Sequence, residues 1–105
     1  MTREVALLDL DELWIGEGRA VRHAALKLFV VRLDDRVSCY EDRCPHLGFP
    51  LSEGRLDGET LVCAAHGWEF DVKSGIGKNP QKCRLSSLPV SVREGRVWLQ
   101  VEDEA

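Results

Sequence analysis

The sequence contains two short clusters that each place one cysteine beside one histidine. Cys44 and His46 are separated by one residue, Cys63 and His66 by two, and sixteen residues lie between the clusters. Thiolate sulfur and imidazole nitrogen are side-chain ligands of iron and zinc. The two clusters therefore predict two loops that together hold a metal centre.

The mixed composition of each cluster favours a [2Fe–2S] centre over a single zinc ion. In a Rieske centre two cysteines bind one iron and two histidines bind the other, so a loop that carries one of each can reach both irons. Structural zinc sites usually pair like ligands within one knuckle. The sequence predicts one Rieske-type [2Fe–2S] cluster with Cys44, His46, Cys63 and His66 as its ligands, and a structural zinc module is the alternative.

Residues beside the predicted ligands suit such loops. Pro45 stiffens the first loop because its ring restricts φ. Gly48 and Gly67 closely follow the two histidines, where a tight turn favours glycine.

Composition restricts the other possibilities. The 105 residues predict one domain that spans residues 1–105, and the net charge of −4 argues against a nucleic-acid partner. No apolar run approaches the roughly twenty residues of a membrane-spanning helix, and the first residues do not resemble a signal peptide. We therefore expect a cytoplasmic protein that does not contact membranes.

The two remaining cysteines have less definite roles. Cys39 shares a predicted strand face with Val37 and reads as an ordinary buried thiol, whereas Cys83 lies in a predicted loop. The sequence leaves a disulfide between Cys39 and Cys83 open. The third histidine, His23, is predicted to be an ordinary strand or surface residue.

Short apolar runs separated by turn residues predict an all-β fold, an antiparallel sandwich or barrel with the cluster loops at one tip. The predicted strands cover residues 4–8, 19–23, 27–33, 36–40, 60–62, 68–72, 88–93 and 96–101. Asp9 is a candidate N-cap of one helical turn, and residues 75–80 are predicted to form a long loop. Trp14, Ile15 and Trp98 are expected to pack on the sheets. Alternation in the last two strands predicts one buried face with Val90, Val92, Val97, Leu99 and Val101.

With these residues placed, almost the whole chain resembles the soluble Rieske-type ferredoxins of bacterial multicomponent oxygenases, above all those of toluene monooxygenases. The segments that carry the resemblance are 10–17, 44–46, 51–54, Cys63, His66, Trp68, 79–80, Cys83 and 89–90. The resemblance implies a Rieske fold and an electron carrier that is not itself an enzyme. It would carry single electrons from an NADH-dependent flavin reductase to the diiron hydroxylase of an aromatic monooxygenase.

The resemblance also implies how the partners meet the cluster. His46 and His66 would lie where the electron leaves, and Trp68 and the loop around Pro80 would flank them. Leu47 and Phe49 would form an apolar docking surface, and Trp68 would either join this surface or shield the cluster from water. Such complexes are small and transient, so a monomer is expected. The alternatives are a ferredoxin of a ring-hydroxylating dioxygenase, the small subunit of an assimilatory nitrite reductase, and a metal-binding module without redox function.

Comparison with high-potential Rieske proteins predicts a low reduction potential. Those proteins carry two further cysteines where this chain has Phe49 and Ala65, and a serine and a tyrosine where it has Trp68 and Phe70. Neither Trp68 nor Phe70 can donate a hydroxyl hydrogen bond that would stabilise the reduced cluster. We expect a potential of roughly −150 to 0 mV, near the low end of the range for Rieske centres.

Overall fold

The computed structural model describes residues 2–23, 26–34, 36–43, 50–64, 67–79 and 84–102. Eleven strands and two single-turn 3₁₀ helices lie in these ranges. The strands are β1 (Thr2–Asp9), β2 (Gly18–His23), β3 (Leu26–Arg32), β4 (Val37–Glu41), β5 (Arg55–Asp57), β6 (Thr60–Val62), β7 (Glu69–Asp71), β8 (Gly77–Asn79), β9 (Ser87–Leu88), β10 (Val90–Arg93) and β11 (Arg96–Glu102); the 3₁₀ helices are Leu10–Glu12 and Leu51–Glu53. The prediction of an all-β fold is confirmed.

The strands form three antiparallel sheets. Their strand orders are β1-β11-β10, β2-β3-β4-β9 and β5-β6-β7-β8. The predicted hairpins β3–β4 and β10–β11 are both present, with Val30 opposite Cys39 and Val92 opposite Val97. No helix in the described ranges has the length and apolar character needed to cross a bilayer.

Strand β3 is buried on both faces and separates two hydrophobic cores. Leu28, Phe29, Val30 and Val31 are each at most 3% exposed. Because successive side chains of a strand point to opposite faces, Leu28 and Val30 enter one core while Phe29 and Val31 enter the other. The aliphatic core contains Leu13, Leu28, Val30, Cys39, Val97 and Leu99. The aromatic core contains Phe29, Val31, Leu33, Tyr40, Leu51, Leu61, Cys63, Phe70, Val72 and Leu85.

Two turns that the local sequence predicted are present in the structure. Asp9 stands at the N-cap of the first 3₁₀ turn, and its backbone N–H donates to the Glu12 carboxylate at 2.8 Å. Glu94 and Gly95 connect β10 to β11 with φ values of 53° and 74°. Two successive positive φ values are typical of a two-residue hairpin turn, whose twist matches that of the flanking strands.

The prediction of a continuous loop over residues 75–80 is wrong. Gly77–Asn79 forms β8, which pairs with β7 through Phe70 opposite Gly77 and Glu69 opposite Asn79. Glycine, lysine and asparagine have low strand propensity, so the segment carries no strand signal of its own. It becomes a strand because the preceding turn brings it back alongside β7.

The prediction that Trp14 and Ile15 pack on a sheet is also wrong. Trp14 is 81% exposed and Ile15 is 58% exposed, whereas the neighbouring Leu13 is fully buried in the aliphatic core. Arg32 holds this turn from the side, because its Nη1 donates to the Leu13 carbonyl at 2.9 Å and its own carbonyl accepts from the Gly16 N–H at 2.7 Å. The turn is thereby held with its two apolar side chains outward.

The predicted buried face of the last hairpin is only partly correct. Val97 and Leu99 are fully buried, but Val92 is 42% exposed because β10 forms an edge of its sheet. Trp98 is half-buried and has the Arg93 guanidinium 5.0 Å above its ring centroid. His23 ends β2 in a half-buried position, as predicted for a strand histidine.

Candidate metal centre

The second predicted ligand loop is a tight connection between β6 and β7. The Cys63 N–H donates to the Trp68 carbonyl at 2.7 Å, and the Gly67 N–H donates to the Cys63 carbonyl at 3.0 Å. Gly67 has a φ of 70°, in the left-handed region that favours glycine, which confirms the turn predicted at this position. Backbone hydrogen bonds therefore close the base of this loop.

Cys63 lies where this loop leaves the aromatic core. Its side chain is 2% exposed and carries a free thiol. Trp68 is half-buried and packs against the same core, which is the position that a shielding role requires. A docking role for Trp68 stays a prediction.

The first predicted ligand loop is described only at its two flanks. On the incoming side, Asp42 follows β4, and its N–H donates to the Lys27 carbonyl at 2.8 Å. On the outgoing side, Ser52 lies in the second 3₁₀ turn, beside the fully buried Leu51. The Asp42 carboxylate joins the flanks: Oδ1 accepts from the Ser52 N–H and Oδ2 from the Ser52 hydroxyl, both at 2.7 Å.

The Asp42–Ser52 pair was not predicted from the sequence. Ser52 falls in a segment that carries the family resemblance, but no spacing rule connects it to an aspartate ten positions earlier. Serine and aspartate side chains commonly form hydrogen bonds with nearby backbone groups in turns. This tendency was the one sequence signal for the pair.

The bases of the two loops lie side by side. A Cβ atom at Gly54 would overlap the carbonyl oxygen of Val62, the residue before Cys63. Only glycine permits this approach of two backbones. Leu51 and Cys63 also belong to the same core. The flank of the first loop and the start of the second are thus packed together, as two loops that share one cluster require.

Most of the predicted site lies outside the described residues. This applies to Cys44, Pro45, His46, Leu47, Gly48, Phe49, Ala65, His66, Pro80 and Cys83. Cys63 is the one predicted ligand within the described ranges. Accordingly, no group of three His, Cys, Asp or Glu side chains in these ranges is placed to bind a metal ion. The roles of the other ligands stay predictions.

Cys39 differs from Cys63 in its surroundings. It is a free thiol buried in the aliphatic core, as predicted, and burial raises its pKa from 9.0 to about 12. A thiol that stays protonated is a poor metal ligand, because the thiolate is the ligand form. Cys63, in a hairpin loop beside the flank of the other cysteine–histidine segment, fits the role of an iron ligand, and Cys39 does not.

Comparisons with known proteins agree with this site. A family model described as the Rieske [2Fe–2S] domain matches residues 3–89. The ferredoxin component of the alkene monooxygenase system of Xanthobacter autotrophicus is 38% identical over 100 residues, which cover 93% of this chain and 81% of that protein. The biphenyl dioxygenase ferredoxin subunit of a Pseudomonas species is 36% identical over 90 residues, with 84% and 82% covered.

Solved structures show the same fold. A chain in the complex of reduced oxygenase and oxidized ferredoxin of carbazole 1,9a-dioxygenase superposes with a TM-score of 0.83 at 32% identity, covering 97% of this chain and 96% of that chain. The predicted resemblance to oxygenase ferredoxins is confirmed. This chain therefore belongs to the Rieske [2Fe–2S] domain family, and its cofactor is a Rieske-type [2Fe–2S] cluster.

Proposed function

We propose that this chain is the ferredoxin component of a bacterial multicomponent oxygenase, with one Rieske domain over residues 1–105. It carries single electrons from an NADH-dependent reductase to the oxygenase component, in the cytoplasm and as a monomer. Cys44, His46, Cys63 and His66 hold the cluster, which supplies the one-electron redox chemistry. The observation that carries the proposal is the buried free thiol of Cys63 at the base of a tight hairpin loop, against the Gly54 flank of the first loop.

The relatives support a carrier rather than an enzyme. The alkene monooxygenase and biphenyl dioxygenase proteins are ferredoxin components, and the match covers about four fifths of each. The carbazole 1,9a-dioxygenase complex pairs a ferredoxin with an oxygenase. We infer that this chain likewise docks transiently on an oxygenase and leaves substrate binding to that component.

The proposed oxygenase is the diiron hydroxylase of a toluene-type aromatic monooxygenase. The similarity to a monooxygenase ferredoxin and the segments that resemble the toluene monooxygenase proteins favour it. A ring-hydroxylating dioxygenase is the second candidate, favoured by the biphenyl and carbazole dioxygenase relatives. Reconstituted turnover with a purified hydroxylase of each class separates the two candidates.

We also propose that Trp68 forms an apolar docking surface together with Leu47 and Phe49. The half-buried position of Trp68 beside the Cys63 loop supports this role. In Trp68→Ala protein with intact cluster and potential, electron transfer to the hydroxylase should slow. Unchanged transfer would leave Trp68 a shield only.

The cofactor is tested by EPR of the dithionite-reduced protein, with iron and sulfide analysis of the same sample. We expect two irons per chain and a rhombic signal with a low average g value, and a potential of roughly −150 to 0 mV. Zinc in place of iron, without a signal, would overturn the electron-carrier function. A potential above about +150 mV would contradict the predicted lack of hydroxyl donors.

A pair of cysteine variants tests the site. Cys63→Ser should lose or alter the rhombic signal, because serine replaces a thiolate ligand. Cys39→Ala removes the other described thiol, which lies in the aliphatic core, and should keep both the iron and the signal. Loss of the signal in both variants would indicate a general folding defect and would not support Cys63 as a ligand.

A further inference from the structure

We propose that Asp42 is a positioning residue for the first ligand loop. Its two hydrogen bonds to Ser52, here called the loop clamp, hold the flanks of that loop together and slow the loss of iron from the cluster. This inference rests on the proposed function, because it takes Cys44 and His46 as ligands carried between the clamped residues.

The geometry of the loop clamp is that of a strong interaction. Both carboxylate oxygens of Asp42 are used, each at 2.7 Å, and both side chains are partly buried. Hydrogen bonds to an ionised carboxylate are shorter and stronger than those between neutral groups. Partial burial also protects the interaction from competing water and salt.

The two ligand loops are closed by different means. The second loop is closed by backbone bonds at Cys63, which side-chain substitution leaves in place. In the part of the chain that the structure describes, the hydrogen bonds between the flanks of the first loop are those between Asp42 and Ser52. Among the described residues, closure of the first loop therefore depends on one carboxylate.

Each end of the loop clamp is anchored in the fold. The Asp42 N–H donates a hydrogen bond to the carbonyl of Lys27 at the start of β3. Ser52 follows Leu51, which is fully buried in the core that also contains Cys63. The loop clamp thus ties the incoming strand of the first loop to the core that holds the second loop. If it opens, the incoming flank loses this connection to the ligand on the other loop.

The chain contains a matched control for this chemistry. In the turn after β7, the Asp71 carboxylate accepts from the Ser74 hydroxyl at 2.9 Å and from the Lys73 N–H at 3.2 Å. This is also one aspartate bonded to a serine hydroxyl and a backbone N–H. It closes a turn that carries no predicted ligand, so Ser74→Ala measures the cost of losing such a bond away from the cluster.

The experiment measures iron release from the intact holoprotein to a colourless excess chelator, with the free energy of unfolding determined for each variant. Asp42→Ala should release iron about tenfold faster than the original chain, since it loses two charge-assisted bonds. Ser52→Ala keeps the backbone donor and should show a smaller increase. The double variant Asp42→Ala/Ser52→Ala should be no faster than Asp42→Ala, because the two residues act as one unit.

Rescue by asparagine separates positioning from general destabilisation. In Asp42→Asn the amide oxygen can still accept from the Ser52 N–H, and the amide nitrogen can donate to the hydroxyl. Its release rate and the line width of its reduced EPR signal should stay near those of the original chain. Asp42→Ala should broaden that signal, because the ligand loop samples more geometries.

Several results would overturn the loop clamp. One is an unchanged iron-release rate in Asp42→Ala. Another is an increase in release rate in Ser74→Ala that equals the increase in Ser52→Ala. A third is a release rate in Asp42→Asn as high as that in Asp42→Ala. If Asp42→Ala does not fold, Ser52→Ala and Asp42→Asn decide the question by the same criteria. An original chain without iron would overturn the proposed function itself, whereas an iron-containing chain with unaffected variants would overturn the loop clamp alone.

Discussion

The two cores on either side of β3 differ in what they support. The aliphatic core lies between β3 and β11 and is built from leucine, valine and one cysteine. The aromatic core contains Phe29, Tyr40 and Phe70 together with Cys63, and Trp68 packs against it. One face of β3 therefore packs in a core that stabilises the fold, and the other packs in a core that also positions the predicted ligand loop after β6.

Neighbouring residues of β4 show the same contrast. Cys39 enters the aliphatic core and Tyr40 the aromatic core. Burial raises the pKa of both groups, but the Tyr40 hydroxyl also donates to the Val72 carbonyl at 2.6 Å. A ring with a hydrogen bond at its end has one favourable orientation. The aromatic core is thereby more specific in geometry, which suits a core that holds a predicted ligand loop in place.

The largest expected effect on stability comes from truncating one large buried side chain in each core. Phe70→Ala should lower the free energy of unfolding by about 3–5 kcal/mol, and Leu99→Ala, its counterpart in the aliphatic core, by about 2–5 kcal/mol. Both side chains are fully buried. Denaturant unfolding measures the two losses.

Iron content then distinguishes the two cores. The two variants are compared under conditions that give them equal free energies of unfolding. Phe70→Ala should then lose iron more readily than Leu99→Ala, because Phe70 shares its core with Cys63. Equal iron loss would mean that the aromatic core has no special role in holding the centre.

A smaller effect is expected from separating the two loop bases. Gly54→Ala places a methyl group against the Val62 carbonyl, and the resulting shift should cost up to about 3 kcal/mol and accelerate iron release. Gly95→Ala is the control on the aliphatic side. Gly95 has a φ of 74° but open space around it, so alanine there should cost about 1 kcal/mol through backbone strain and leave iron release unchanged. Similar release rates in both variants would show that contact between the loop bases does not retain the metal.

The smallest effect concerns the pH dependence of the aliphatic core. Burial raises the pKa of Cys39 to about 12, so above pH 9 the folded chain keeps a proton that the unfolded chain loses. The folded state then binds more protons, and stability falls as pH rises from about 9 towards 12. Between pH 9 and 10, the stability of the original chain relative to Cys39→Ala should fall by about 1 kcal/mol. A difference independent of pH would contradict the raised pKa.

Sequence reasoning succeeded where the signal was local. The apolar run of β3 and the turn at Glu94 and Gly95 predicted both hairpins, because a turn and its flanking strands are contiguous. The turn at Gly67 was predicted for the same reason. Prediction from the sequence failed at β8, whose residues do not favour a strand, and at Trp14, whose apolar character suggested burial.

The sequence by itself determined the chemistry of this protein. Two cysteine–histidine pairs, whose members are two and three positions apart, predict a mixed ligand set that few metal centres use, and local spacing needs no fold to be recognised. The tertiary structure alone decided how the loops are held. The Asp42–Ser52 bonds join residues that are ten positions apart and lie next to strands of different sheets, β4 and β5. Such contacts depend on the packing of whole strands, because the chain between the partners can take many paths until the sheets assemble.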